Sequence, residues 1–192
     1  MKFQLLTAAV AAAISMSAVA APVTYTIDSG HTFPSFEADH KGGLSIWRGK
    51  FNKTSGSITL DRAAKTGSVD ITVDATSIDF GHDKLNAHVS SADMLDVAKF
   101  PTATFKGNKV HFNGDVPASI DGEFTLHGVT KPLTLTINKF KCVQDNMTKR
   151  EVCGADASAT FNRADFGVNY GEKYGFNMDV KLAIQVEAAE KK

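Results

Sequence analysis

Large apolar residues alternate with small polar ones over most of the chain. In FTLHGVTKPLTLTI, residues 124–137, threonines alternate with Phe, Leu and Ile on both sides of a break at His127-Gly128. The same period of two runs through Ile58 and Leu60, through Val69, Ile71 and Val73, and through Val180, Leu182, Ile184 and Val186. Successive side chains of a strand point to opposite faces, so the pattern predicts half-buried β-strands, each with one apolar face. Turn formers at Lys41-Gly42-Gly43, Thr66-Gly67, Asn113-Gly114-Asp115 and Asp121-Gly122 divide the chain into a meander of about eight strands. After Asn138-Lys139 the phase slips and Phe140 and Cys142 take the other parity, which predicts a bulge or a twist there.

One segment breaks the alternation. In FGHDKLNAHVSSADMLDVAKFP, residues 80–101, Leu85 and Val89 are four apart and Met94 and Val97 three apart, a helical spacing. Ser90 with Asp93 has the form of a helix-starting cap, and Pro101 is a stop. One or two short helices are expected, with Leu85, Met94, Leu95 and Phe100 turned toward the sheet. No long amphipathic helix is available to cover that sheet, so it must cover itself as a sandwich or a closed barrel. Closure removes edges, and short hairpins suit an up-and-down antiparallel order. The expected fold is all-β: an eight-stranded antiparallel barrel with a short helical cap over one end. A barrel of that size is either filled by its own side chains or holds one ligand, and composition does not choose between the two.

The N-terminus supplies an address. Lys2, an alanine-rich apolar run and Ala18-Val19-Ala20 have the form of a secretory signal over residues 1–20, expected to be cut before Ala21 and to leave one domain over 21–192. The chain carries 21 Lys and Arg against 21 Asp and Glu, and loss of Lys2 leaves 21 − 1 = 20 basic residues. Such a balance offers neither a phosphate-tracking surface for nucleic acid nor a polybasic patch. Cys142 and Cys153 flank the polar stretch VQDNMTKREV and, in an oxidising compartment, are expected to staple a hairpin. Neither a C-x-x-C spacing nor a nearby histidine marks them as a redox or metal pair.

The six histidines invite a catalytic reading. His82-Asp83 with His88 is the tightest cluster, but five residues between the histidines do not place two imidazoles on one helical face. No nucleophile elbow, phosphate loop or zincin motif occurs. No metal, cofactor or enzymatic activity is therefore expected. Two alternatives stand beside a binding role: a lipid hydrolase or isomerase using His31 or His82 as base, and a filled barrel acting as an interaction module.

Several motifs in order point further. Tyr25-x-Ile27-Asp28-x-x-His31, Gly49-x-Phe51, Ser77-Ile78, the insert from Leu85 through Asp96, Phe100-Pro101-x-Ala103-x-Phe105, Gly122-x-Phe124-Thr125-Leu126-x-Gly128-Val129-Thr130-Lys131-Pro132 and Asn162-Arg163-x-Asp165-Phe166-Gly167 span nearly the whole mature chain. Together they resemble the YceI-like family of polyisoprenoid-binding periplasmic proteins. The resemblance implies an extended, lipocalin-like barrel with a deep apolar pocket for a long-chain isoprenoid, a quinone or prenyl phosphate, or a comparable fatty amide or acid. It implies a periplasmic carrier; transient membrane contact and a homodimer are left open beside it, and the sequence does not give the oligomeric state. Thr32, Asp79 and the stretch Tyr174–Asp179 depart from the commoner family pattern, and the cysteine hairpin is not general to it. By motif position and strand phase the expected pocket walls are Phe33, Phe36, Trp47, Phe51, Ile78, Leu85, Met94, Leu95, Phe105, Phe124, Leu126 and Phe166. His31, His40 and His82 are expected at the polar end of the guest.

Overall fold

The computed structural model describes residues 21–192, so the leader expected over residues 1–20 lies outside the described residues. The alternating stretches are strands: β1 (Val23–Ile27), β2 (Phe33–His40), β3 (Ser45–Phe51), β4 (Thr54–Asp61), β5 (Thr66–Asp74), β6 (Ile78–Asp79), β7 (Thr102–Asn113), β8 (Val116–Leu126), β9 (Val129–Gln144), β10 (Glu151–Asn162) and β11 (Asp179–Glu190). All pairings are antiparallel. Eight strands close in the order β1-β4-β5-β7-β8-β9-β10-β11 and back to β1, and β2-β3-β6 extend the wall at one end.

The order is not the simple meander expected, because one edge of β11 pairs with β10 and the other serves two partners. Its Ala188–Glu190 end pairs with β1, and Val180–Gln185 pairs with β2. Thr32, almost wholly buried, fills the gap between them: its hydroxyl donates to the Glu187 carbonyl at 3.0 Å and accepts the Glu187 N–H at 3.1 Å. The buried hydroxyl thus replaces ladder bonds that the interruption would leave unmade.

The register confirms the phase slip. Asp156 of β10 faces Lys139 of β9 and Ala157 faces Ile137, so Asn138 is the extra residue of a bulge. It lets Leu133, Leu135, Ile137 and then Phe140 all face the interior despite the change of parity. Further along the same hairpin Cys142 and Cys153 are directly paired across the ladder and joined by a disulfide. At the β8–β9 turn both His127 (φ 51°) and Gly128 (φ 75°) are left-handed, the backbone that a tight two-residue hairpin requires.

Three local expectations are corrected. The helix of the insert is α1 (Asp83–Ser90), and it is started by His82, whose Nδ1 accepts the Leu85 N–H at 3.2 Å. Ser90 is its last residue, and residues 91–100 are turns. Asp121-Gly122 is no turn but the middle of β8, where glycine is needed because a Cβ would come 2.6 Å from the Phe105 ring and from the Lys106 carbonyl. The turn before β5 is made at Lys65 (φ 55°), one residue before the predicted Thr66-Gly67.

The core divides in two. One cluster, at the capped end, gathers Ile78, Val89, Leu95, Ala103, Leu126, Phe166 and Val168. The other gathers Tyr25, Ile27, Leu60, Cys153 and Ala188. Beside the second cluster the Tyr25 hydroxyl donates to Glu151, which also takes two bonds from the Arg62 guanidinium at 2.7 and 2.9 Å. Burial and the Glu151 carboxylate push the Tyr25 phenol well above its ordinary range, so it stays neutral. This end is a closed, stapled base. Among the described residues no helix is long and apolar enough to cross a membrane.

Candidate functional site

The interior is not filled. Between the two clusters lies a cavity of about 190 Å³ walled almost wholly by apolar side chains that point inward at every second position, among them Ile58, Val69, Ile71, Phe105, Leu133, Leu135, Leu182 and Ile184. Next to it, under the cap, is a larger cavity of about 640 Å³. That volume lies in the ordinary range for small-molecule pockets.

The larger cavity is assembled from every element of the capped end. β2 contributes Phe36, Ala38 and His40, whose alternation keeps Glu37 outside with Arg48 at 2.7 Å. β3 and β6 contribute Trp47, Phe51 and Ile78, and the insert contributes Leu85, His88, Val89, Met94 and Leu95. The segment after β10 closes the other side with Arg163, Val168, Tyr170, Tyr174 and Phe176. Aromatic edges meet faces across this wall: Phe36 with Phe80 at 5.4 Å, His40 with Phe176 at 5.4 Å, and His88 with Tyr170 at 4.7 Å. Edge-to-face pairs of this kind fix ring positions without filling the space between them.

Of the expected walls, Phe36, Trp47, Phe51, Ile78, Leu85, Met94, Leu95 and Leu126 border the larger cavity. Phe105 and Phe124 border the smaller one, together with Phe51 and Leu126. Phe33 and Phe166 border neither. Phe33 lies an odd number of residues from Phe36 on the same strand, so its ring is on the outer face, with the Lys50 ammonium 4.6 Å above it. Phe166 packs behind the wall against Phe124 at 5.3 Å and Phe161 at 5.4 Å. Among the histidines, His40 is in the larger cavity's wall. His82 caps α1, its ring 6.2 Å from that of Trp47, and His31 stands outside on the surface with its Nδ1 2.8 Å from Asp28.

Sequence reasoning missed His88, Arg163, Tyr170, Tyr174 and Phe176. The last four come from a loop with no period, although the Asn162-Arg163-x-Asp165-Phe166-Gly167 motif pointed to its start. There Asn162 accepts the Ala164 N–H at 3.0 Å, and Gly167 at φ 79° ends the 3-10 turn Arg163–Phe166, sending the chain back over the opening.

Two charged groups set the polarity of this end. Asp39 has its carboxylate oxygens occupied by the N–H groups of Asn177 (2.9 Å), Gly43 (2.6 Å) and Gly42 (2.9 Å), which hold it ionised below the usual carboxylate range. It thereby ties the β2–β3 turn to the approach to β11. Arg163 is 8% exposed and donates to the carbonyls of Val168 and Tyr170, each at 2.8 Å. Burial lowers its pKa from the usual value, and the fields of Glu172 and Asp39 oppose that effect. The site has no clustered acid, base and nucleophile; it is a hydrocarbon-lined hollow with one polar end.

The sequence model of the YceI-like domain matches residues 25–188. The chain belongs to the YceI-like family. A UPF0312 protein of Vibrio cholerae is 32% identical over 194 residues, covering 100% of both chains. A UPF0312 protein of Pseudomonas aeruginosa is 34% identical over 184 residues and 93% of each. Among solved structures, Burkholderia cenocepacia BcnA superposes with a TM-score of 0.70 at 23% identity, over 84% of this chain and 99% of that one. A polyisoprenoid binding domain from Saccharophagus degradans gives 0.65 at 16% identity, over 88% and 99%. These likenesses establish the closed YceI-like barrel for this chain.

Proposed function

We propose that this YceI-like protein is a periplasmic binding protein that carries a long apolar lipid, a polyisoprenoid or a chain of similar shape, inside the barrel. The observation that carries the reading is the pair of adjoining cavities, walled by hydrocarbon and aromatic rings and left open within an otherwise well-packed fold. A filled interaction module would not keep them. The similarity to a protein described as a polyisoprenoid binding domain supports the same class of guest. A binding role rather than catalysis accords with the family and with a wall that holds no nucleophile beside a base.

Carriage is reversible on simple energetics. A lipid starts in a bilayer, already out of water, so transfer into an apolar cavity changes its hydrophobic free energy little. A rim of exposed apolar groups supports direct loading from that bilayer: Leu44 is 72% and Tyr174 64% exposed, on the same turns as Lys41 and Lys173. The disulfide accords with an oxidising compartment.

Trp47 is the single tryptophan and borders the larger cavity, so its emission reports occupancy directly. A long-chain polyprenol added to the delipidated protein is expected to shift and saturate that emission at one equivalent. An unchanged spectrum, with no retention of the polyprenol on gel filtration, would end the carrier reading.

A further inference from the structure

We infer that the capped end of the larger cavity is an oxyanion site, in which the Arg163 guanidinium anchors the phosphate or carboxylate headgroup of the bound lipid. The inference rests on the lipid-carrier reading and adds to it the chemistry of the headgroup.

Arg163 is a buried cation without an ion-pair partner. A guanidinium has five N–H donors, and burying it unpaired is costly. Its Nη1 and Nη2 each donate to one backbone carbonyl, and no acceptor among the described residues takes the remaining donors. Neither acid whose field reaches it is within ion-pair distance. Glu172 stands on the next turn of the loop, and the carboxylate of Asp39 is already occupied by three backbone N–H groups. Apart from the neutral phenols of Tyr170 and Tyr174, the other polar side chains that line the cavity, Lys41, His40 and His88, are basic. The two carbonyl bonds hold the guanidinium in the cavity wall and use two of its five N–H donors, which leaves three that a phosphate or carboxylate oxygen can accept. A neutral headgroup would leave this charge without a counterion.

The test compares geranylgeranyl monophosphate with geranylgeraniol, which share a chain and differ in the head. Affinities are read from Trp47 emission in the wild type, Arg163→Gln and Arg163→Lys. Wild type is expected to bind the phosphate at least about ten-fold more tightly than the alcohol, the scale of a hydrogen bond to a charged group. Arg163→Gln is expected to lose that preference, with affinity for the phosphate falling about ten-fold more than affinity for the alcohol, and Arg163→Lys to retain part of it. A role confined to propping the loop through Val168 and Tyr170 would lower the melting temperature of Arg163→Gln and leave the ratio unchanged, overturning the inference. Should that variant fail to fold, the wild-type ratio decides: a value near one overturns the oxyanion site. Binding of both lipids with equal affinity overturns this inference and leaves the carrier reading standing, whereas binding of neither overturns both. Inorganic phosphate alone is expected to raise the melting temperature less than the prenyl phosphate does at equal concentration; an equal rise assigns the site to free phosphate and overturns the lipid headgroup.

Discussion

Phe51 and Leu126 each form part of the wall of both cavities, and among the described residues no other side chain does. They stand at a waist between the wide, partly polar chamber under the cap and the narrow apolar one in the barrel. A guest long enough to occupy both must pass between them. Leu126→Phe narrows the waist, and overpacking of such a site costs ~1–3 kcal/mol. An octaprenyl chain is therefore expected to bind about ten-fold or more weakly, while a farnesyl chain, short enough for the wide chamber, keeps its affinity. Equal losses for both chains would show that the waist does not separate them.

The rim makes a separate prediction about rate. Leu44 and Tyr174 are largely exposed, so Leu44→Ser with Tyr174→Ser should change stability by no more than ~0.5 kcal/mol each. Transfer of a fluorescent prenyl lipid from vesicles should slow several-fold, with the affinity measured from detergent unchanged. Transfer at the wild-type rate would remove the rim from the loading step.

The disulfide joins residues 11 apart in sequence at the base of the barrel, far from the cap. Replacing both cysteines, Cys142→Ala with Cys153→Ala, is expected to lower the unfolding free energy by ~3 kcal/mol in urea and to leave lipid binding intact. Unchanged stability would contradict its role as a staple.

His31 and Asp28 predict a pH dependence at the surface. The hydrogen bond to Asp28 raises the His31 pKa above its usual 6.5, and the same bond lowers that of Asp28 below 3.8. The stabilisation from His31 is thus full below about pH 6.5 and lost as pH rises through its higher folded value. At the acid end the contribution of Asp28 is present above 3.8 and lost as pH falls through its depressed value. In an NMR titration the His31 ring should have a midpoint above 6.5 that falls back in Asp28→Asn. A midpoint that does not move would rule the pair out. Lipid affinity should be the same in both, because His31 is outside the cavities.

Much of this architecture was legible from the alternation. The inward face of β9, the bulge at Asn138 and the left-handed Gly128 each follow from local pattern and backbone sterics. Phe33 obeys the same rule: two residues an odd number apart on one strand cannot share a face, so Phe36 in the wall excludes Phe33 from it. His82 counts among the expected polar contacts yet caps α1, because a histidine at a helix start looks the same in sequence whether it caps or binds. The rim could not be read at all. Tyr170, Tyr174 and Phe176 reach the cavity through an aperiodic loop whose path depends on Asn162, Gly167 and the anchoring of Asp39 to Asn177, contacts that no spacing encodes.

The most direct test is mass spectrometry of an organic extract of the protein, purified from its host without added lipid or detergent. The account predicts a long-chain isoprenoid or similarly slender lipid in near-equimolar amount, lost when Met94→Glu places a charge in the cavity wall. An extract free of such a lipid, from a protein that also fails to take up a polyprenol, would contradict it.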